Sequence, residues 1–282
     1  MTTIKAADGS ALHLTEWPAA AAARGTVLLV HGLGEHAGRY AWLAGQLNAA
    51  GWHVAGHDHR GHGRSDGPRS AIPAPDALLV DLAQVIDHVR ARRPGPLVLL
   101  GHSMGGLVAA RFVAESVAPQ PAAWSRPVDA LVLSSPALAV DLSAVQNLLL
   151  AVGSALLPDL AQGNGLKPDW VSRDPAVVRA YLADPLVHDR ITPRLVRFIV
   201  DGGERARALA PRWATPTLLL WAGADRCVAP RGSAAFAAAA PGAIVQSRAF
   251  DGLFHEIFNE PEKADVTAEL LRWLARQPFA AH

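Results

Sequence analysis

Short apolar runs alternate with helical-period segments along most of this chain, and that alternation limits the folds open to it. Thr26–His31 (TVLLVH) is an apolar run stopped by Gly32. Trp52–His57, Pro96–Gly101, Val128–Ser134, Thr217–Ala222 and Ile244–Phe250 repeat the pattern, and Leu12–Trp17 reads as an earlier strand. Between them, Arg39–Ala50 spaces Leu43 and Leu47 as a helix does. Asp76–Arg93 sets Leu78, Leu82, Val85, Ile86 and Val89 on one face, Gly105–Val117 is a helix candidate, and Pro261–Ala275 is a closing one. Strands that are apolar throughout need cover on both faces, which a mostly parallel sheet flanked by helices provides. The expected class is α/β.

From about Pro136 to Pro211 the alternation stops. This stretch is first Leu/Ala-rich and helical, then broken up by Pro158, Pro168, Pro175, Pro185 and Pro193. The expected organisation is a core of residues 1–135 and 212–282 interrupted by a helical insertion over 136–211, which suits a chain of 282 residues. The stretch between Asp141 and Asp159 carries no charge but includes Ser143, Gln146, Asn147, Gly153 and Ser154. It is short against the roughly 20 residues a bilayer span needs, so it reads as an apolar helix on a soluble protein. The N-terminus lacks the apolar core of a signal peptide. One cysteine, Cys227, excludes an intrachain disulfide and suits a reducing, cytoplasmic setting. A net charge of +1 without a long basic run gives nucleic acid nothing to bind.

Within this frame Gly101-His-Ser-Met-Gly105 follows an apolar run and opens a helical segment, the strand–turn–helix setting of a nucleophile elbow. Ser103 needs a base to take its proton. His255, between the last strand and the last helix, is preferred over His102, beside the serine, and over His282 at the chain's end. An acid must fall between 103 and 255. Asp225, directly after a strand run, is preferred over Asp189, Asp201 and Asp251. The oxyanion donors are expected to be the backbone N–H groups of Met104, after the nucleophile, and of Leu33, in the loop His31-Gly-Leu-Gly34.

A rival lies in His57-Asp-His-Arg-Gly-His62, whose histidine spacing is that of a metal-dependent hydrolase. Gly61 stands where the acidic ligand of that motif belongs, and a strand end followed by a glycine-rich turn accounts for the same residues. Cys227 is either a reactive thiol near the site or a buried free cysteine.

Taken together, His31-Gly-Leu-Gly-Glu-His-Ala-Gly-Arg-Tyr40, Asp58-His-Arg-Gly-His-Gly-Arg-Ser65, Gly101-His-Ser-Met-Gly-Gly106, Asp184-Pro-Leu186, Gly223-Ala-Asp225 and His255 before Glu260 resemble the monoacylglycerol lipase family. That family belongs to the α/β-hydrolase superfamily, in a broader grouping called serine aminopeptidase/lysophospholipase-like. The resemblance covers nearly the whole chain in order. It implies an α/β-hydrolase fold, Ser103, Asp225 and His255 as a triad, Leu33 and Met104 as the oxyanion hole, and a cap over the site. The activity implied is cleavage of monoacylglycerol to glycerol and fatty acid through an acyl-enzyme, with no cofactor and no metal. A lysophospholipase or general carboxylesterase would use the same triad, and an inert binding protein of this fold is the reading from another class. Leu142, Val145, Leu149, Val152 and Leu156 of the apolar helix either line an acyl tunnel and touch a lipid surface, or pack onto the rest of the cap. The expected partner is a small lipid ester, with transient membrane contact through the cap.

Overall fold

The computed structural model describes residues 2–20, 23–141 and 143–279. The chain opens with β1 (Thr2–Lys5), β2 (Ala11–Trp17) and β3 (Thr26–Val30), then α1 (Ala41–Ala49), β4 (His53–His57), α2 (Ala77–Arg92), β5 (Leu97–His102), α3 (Ser103–Ala114) and β6 (Ala130–Ser134). Next come α4 (Ala144–Leu156), β7 (Gln162–Gly163), α5 (Pro175–Ala183), β8 (Arg190–Ile191) and α6 (Pro193–Leu209). It closes with β9 (Thr217–Ala222), α7 (Pro230–Ala239), β10 (Val245–Phe250) and α8 (Lys263–Arg276). One sheet has the order β1-β2-β4-β3-β5-β6-β9-β10. The pairs β4–β3, β3–β5, β5–β6, β6–β9 and β9–β10 are parallel, while β1–β2 and β2–β4 are antiparallel.

The apolar runs divide their side chains between two cores. Val27 and Leu29 of β3, with Val98 and Leu100 of β5, face Leu43 and Leu47 of α1 and Val266, Leu270 and Trp273 of α8. Their neighbours Leu28, Val30, Leu97 and Leu99 face the other way, toward Leu82 and Val85 of α2, Leu107 and Phe112 of α3, and Phe236 of α7. A two-residue period inside a fully buried strand sends alternate residues to opposite layers. Each large side chain buried this way contributes about 1.5–3 kcal/mol.

Between β6 and β9 the chain adds α4, α5 and α6 and a short antiparallel ribbon, β7–β8. Local chemistry starts each helix. Ser143 and Gln146 form a reciprocal capping box on α4. Asp174 caps α5 and Thr192 caps α6, each followed by proline at the first helical position. Leu195, Phe198 and Ile199 of α6 are buried in the core layer that contains α3. Among the described residues no helix is long and apolar enough to cross a membrane.

β1, α7 and the short ribbon β7–β8 inside the expected helical insertion fall outside the sequence reading. β1 is a short edge strand with only Ile4 buried. α7 (PRGSAAFAAA) has a single large apolar residue, so alanine conceals its periodicity. α3 also begins at Ser103 rather than Gly105.

At the carboxyl ends of β3 and β4, imidazole rings pack on one another. Ring centroids are 4.9 Å apart for His57 and His59, 4.4 Å for His59 and His31, and 5.5 Å for His31 and His62. Both nitrogens of His57 and Nδ1 of His59 are buried without a hydrogen-bond partner. Burial pushes all four histidines below their ordinary value, His57 to about 4 and His62 to about 3. They are neutral when folded and bind protons on unfolding. Their contribution to stability is therefore complete above about pH 6.5 and is lost progressively as pH falls below it. For His57 alone the loss at pH 5 relative to pH 7.5 is about 2 kcal/mol. Urea midpoints measured across that range should fall steeply on the acid side, and His57→Phe should flatten the fall.

Candidate active site

Ser103 stands where β5 turns into α3, with φ at +54°, in the left-handed region that non-glycine residues rarely occupy. A Cβ on Gly105 would collide with the carbonyl oxygens of Val30 and His31, so this position has room only for glycine. The first turn of α3 therefore lies directly against the end of β3. That geometry delivers the Ser103 hydroxyl to the loop that follows β3 and exposes it at the helix N-terminus, where developing negative charge is favoured.

The loops after β9 and β10 bring Asp225 and His255 to the serine. His255 Nε2 lies 2.8 Å from Ser103 Oγ, and Nδ1 lies 2.7 Å from Asp225 Oδ2. The Asp225 carboxylate requires the proton on Nδ1, which leaves the Nε2 lone pair to accept from the serine. Oδ1 of Asp225 accepts from the backbone N–H groups of Cys227 (2.8 Å) and Val228 (3.1 Å). Burial works against ionisation of Asp225. The adjacent imidazole and the two amides outweigh it and hold the carboxyl below its usual range. Burial likewise disfavours the His255 cation, but the Asp225 charge and hydrogen bond, with smaller contributions from Glu256 and Glu35, raise its proton affinity above the ordinary value.

Two cavities meet at the serine. One, of about 780 Å³, is mainly apolar and runs past Met104, Leu149, Leu150, Leu157, Leu160 and Val196. The other, of about 300 Å³, carries Glu35, Asn164, Tyr181, Asp184, His188 and Glu256 in its wall. Leu33, Ser103, Asn164, Leu166 and Cys227 belong to both. Leu33 and Met104 flank the serine, and among the described residues no acceptor takes a hydrogen bond from either amide. Those N–H groups are available to a developing oxyanion.

The expected residues of the apolar helix divide. Leu149 borders the larger cavity, although it is 64% exposed. Val145, Val152 and Leu156 are exposed and absent from the cavity wall, whereas Leu150 and Gly153 of α4 and Leu157 just past its end take those places. Leu142 lies outside the described residues.

The competing residues are occupied elsewhere. His102 Nδ1 is 3.1 Å from Ser134 Oγ; its ring packs 4.7 Å from that of His255, and burial pushes it down to about 4. Asp201 pairs with Arg197 on α6 and Asp189 with Arg190, while Asp251 crowds Gly223 with its backbone. His282 lies outside the described residues. His62 bonds Arg60 O and Ser70 Oγ, and His59 bonds His31 O; the nitrogens of His57, His59 and His62 do not converge on a point that one ion could occupy. Cys227 is half-buried, and burial, then the Asp225 charge, push its thiol well up.

Sequence reasoning missed the brace beneath the site. Glu35 accepts from Gly32 N–H (2.6 Å), Tyr40 Oη–H (2.7 Å) and Arg39 Nη1 (2.6 Å). Arg39 also forms two bonds to Glu256, of 2.6 and 2.8 Å, and stacks on Tyr181 with its guanidinium 4.8 Å from the ring centre. One buried cation thus ties the loop carrying Leu33 to the residue after His255. Glu35, Arg39 and Tyr40 stood within a quoted motif, but no spacing rule pairs them with a residue more than 200 positions away. Removing the cation leaves two buried carboxylates facing each other. Arg39→Met should cost about 3–5 kcal/mol in urea unfolding at neutral pH, with part of the loss recovered by adding Glu256→Gln.

Comparison with known proteins agrees with this geometry. The family described as serine aminopeptidase, S33 matches residues 21–262. A monoacylglycerol lipase of Mycolicibacterium smegmatis is 36% identical over 256 residues, covering 89% of this chain and 88% of the relative. A phospholipase of Bacillus subtilis is 30% identical over 243 residues, 85% of this chain and 91% of that one. The crystal structure of a Paleococcus ferrophilus monoacylglycerol lipase superposes with a TM-score of 0.83 at 34% identity, covering 94% of this chain and 99% of the other.

Proposed function

The chain belongs to the serine aminopeptidase S33 family and is an α/β hydrolase, and from that premise we propose that it cleaves monoacylglycerol to glycerol and a fatty acid. The observation that carries this reading is the pair of cavities joined at Ser103. The larger, mainly apolar one suits an acyl chain, and the smaller, whose wall sets Glu35, Tyr181, Asp184, His188 and Glu256 among apolar side chains, suits a triol. Ser103 Oγ attacks the ester carbonyl as His255 Nε2 takes its proton, and Asp225 holds the tautomer and stabilises the imidazolium. The Leu33 and Met104 amides bind the oxyanion. His255 then protonates the departing glycerol oxygen, and water, deprotonated by the same base, releases the fatty acid.

In this reading residues 136–211 form a cap over a core of 1–135 and 212–282, and the enzyme works in the cytoplasm. The exposed side chains of α4 rest on lipid surfaces during substrate capture. A lysophospholipase reading draws on the Bacillus relative and on Lys167, a cation in the wall of the smaller cavity.

Release of glycerol from medium- and long-chain monoacylglycerols, with lysophosphatidylcholine alongside, tests both. Wild-type turnover of the monoacylglycerols alone, falling roughly 10⁶-fold in Ser103→Ala, is the expected result; turnover of the lysolipid alone transfers the assignment. The base must be neutral to act, and its proton affinity is raised in the folded enzyme. The acid limb of kcat/KM should therefore lie above pH 6.5, and Asp225→Asn should move it down while lowering the plateau. Leu156 is 73% exposed and outside both cavities. Leu156→Asp should reduce co-sedimentation with phospholipid vesicles while leaving hydrolysis of a water-soluble ester unchanged.

A further inference from the structure

A thiol stands beside the charge pair that sets the base, and the proposed reaction makes no use of it. A ring nitrogen of His255, a carboxylate oxygen of Asp225 and Sγ of Cys227 lie within 4.8 Å of one another. The turn that follows Asp225 fixes this placement: the Cys227 and Val228 amides both donate to Oδ1 and curl the chain around the carboxylate. Cys227 forms part of the wall of both cavities.

Imidazole nitrogen, thiolate sulfur and carboxylate oxygen together are a donor set for Zn²⁺, which binds them at about 2.0–2.3 Å. Two atoms that share such an ion in tetrahedral geometry lie roughly 3.3–3.7 Å apart. With all three donors within 4.8 Å of one another, the sulfur has at most about 1.5 Å to close to reach that spacing, and Nδ1 and Oδ2, now 2.7 Å apart, move apart to admit the ion. We propose that Asp225, Cys227 and His255 form an inhibitory site for a thiophilic divalent cation such as Zn²⁺.

The protons balance as follows. The neutral imidazole moves its proton from Nδ1 to Nε2, and the Nδ1 lone pair binds the metal. The thiol proton passes to solvent and the thiolate binds. Asp225 Oδ2 exchanges a hydrogen bond for a metal bond, so one proton is released for each ion taken up. Nε2–H now donates toward Ser103 Oγ, 2.8 Å away, and can no longer accept the serine proton. Inhibition follows from the wrong tautomer, not from blocking the acyl cavity. Binding of the ion is independent of the ester-hydrolysis reading; its effect on turnover rests on that reading.

Two measurements test this. In the first, ester hydrolysis by wild type, Cys227→Ala and Cys227→Ser is followed against Zn²⁺, with a chelator added at the end. Wild type should lose activity and regain it with the chelator, while both variants should need at least about tenfold more Zn²⁺ for the same loss. Equal sensitivity of wild type and variants, or no inhibition of wild type, overturns the proposal. In the second, Cd²⁺ is added to Ser103→Ala and to Ser103→Ala/Cys227→Ser, and thiolate-to-cadmium charge-transfer absorption is recorded. A band saturating at one ion per chain, absent from the double variant, supports the site. Its absence from Ser103→Ala overturns the site whether or not the chain hydrolyses any ester. If the band appears and no ester is turned over, the site stands and the proposed function fails.

Discussion

The contact between Gly105 and the carbonyls of Val30 and His31 governs the placement of everything around the serine. Two parallel neighbours, β3 and β5, end side by side, and the first turn of the helix leaving one lies against the end of the other. A residue forced to φ +54° sits at the junction. Such a conformation costs on the order of 1–3 kcal/mol, which the burial of Leu107, Val108 and Phe112 along the same helix offsets. Strain at one residue is held by packing along the three turns that follow it. The hydroxyl and the amide of Leu33 therefore share a rigid wall, because the sheet register that sets one sets the other.

Charge is organised around that wall in two buried systems that touch at consecutive residues. His255 reaches Asp225, and Glu256 reaches Arg39 and through it Glu35. The carboxylates outnumber the guanidinium, so the negative field they leave favours a cation at the imidazole. Burial alone would make His255 a weak base, as it does His102 next to the serine. Two histidines with rings in contact are thus driven in opposite directions, and the Asp225 carboxylate bonded to His255 is what separates them.

The fold was legible in the sequence wherever burial demanded a continuous apolar run. β3, β5, β6 and β9 show this, since both faces of each are covered. Legibility failed where another force supplies the stability. β1 is held by antiparallel pairing with β2, and the alanines of α7 carry no visible stripe. The positions of Ser103, Asp225 and His255 could be read because each lies in the turn or loop that follows a strand. Glu35, Arg39 and Glu256 could not, because their bond depends on two loops brought together by a parallel crossover. On α4 the period was readable but the facing stripe was not. Leu150 is buried and Gly153 lies against Pro193 of α6, while Val145, Val152 and Leu156 face outward, so the facing stripe is set by the neighbouring helix and not by α4 itself.

The division of space at Ser103 has a consequence for the order of events. Among the described residues only Leu33, Ser103, Asn164, Leu166 and Cys227 stand in both cavities, so on the proposed reaction the two halves of a cleaved ester occupy separate compartments. The alcohol can depart while the acyl chain stays where it was bound. The space it vacates is lined by Glu35, His102, His255 and Glu256, polar groups that admit water beside the base. On the proposed reaction the smaller compartment thus serves each half in turn, first as an exit and then as an entrance. On the same reading the larger, apolar compartment holds the acyl chain until the second bond breaks.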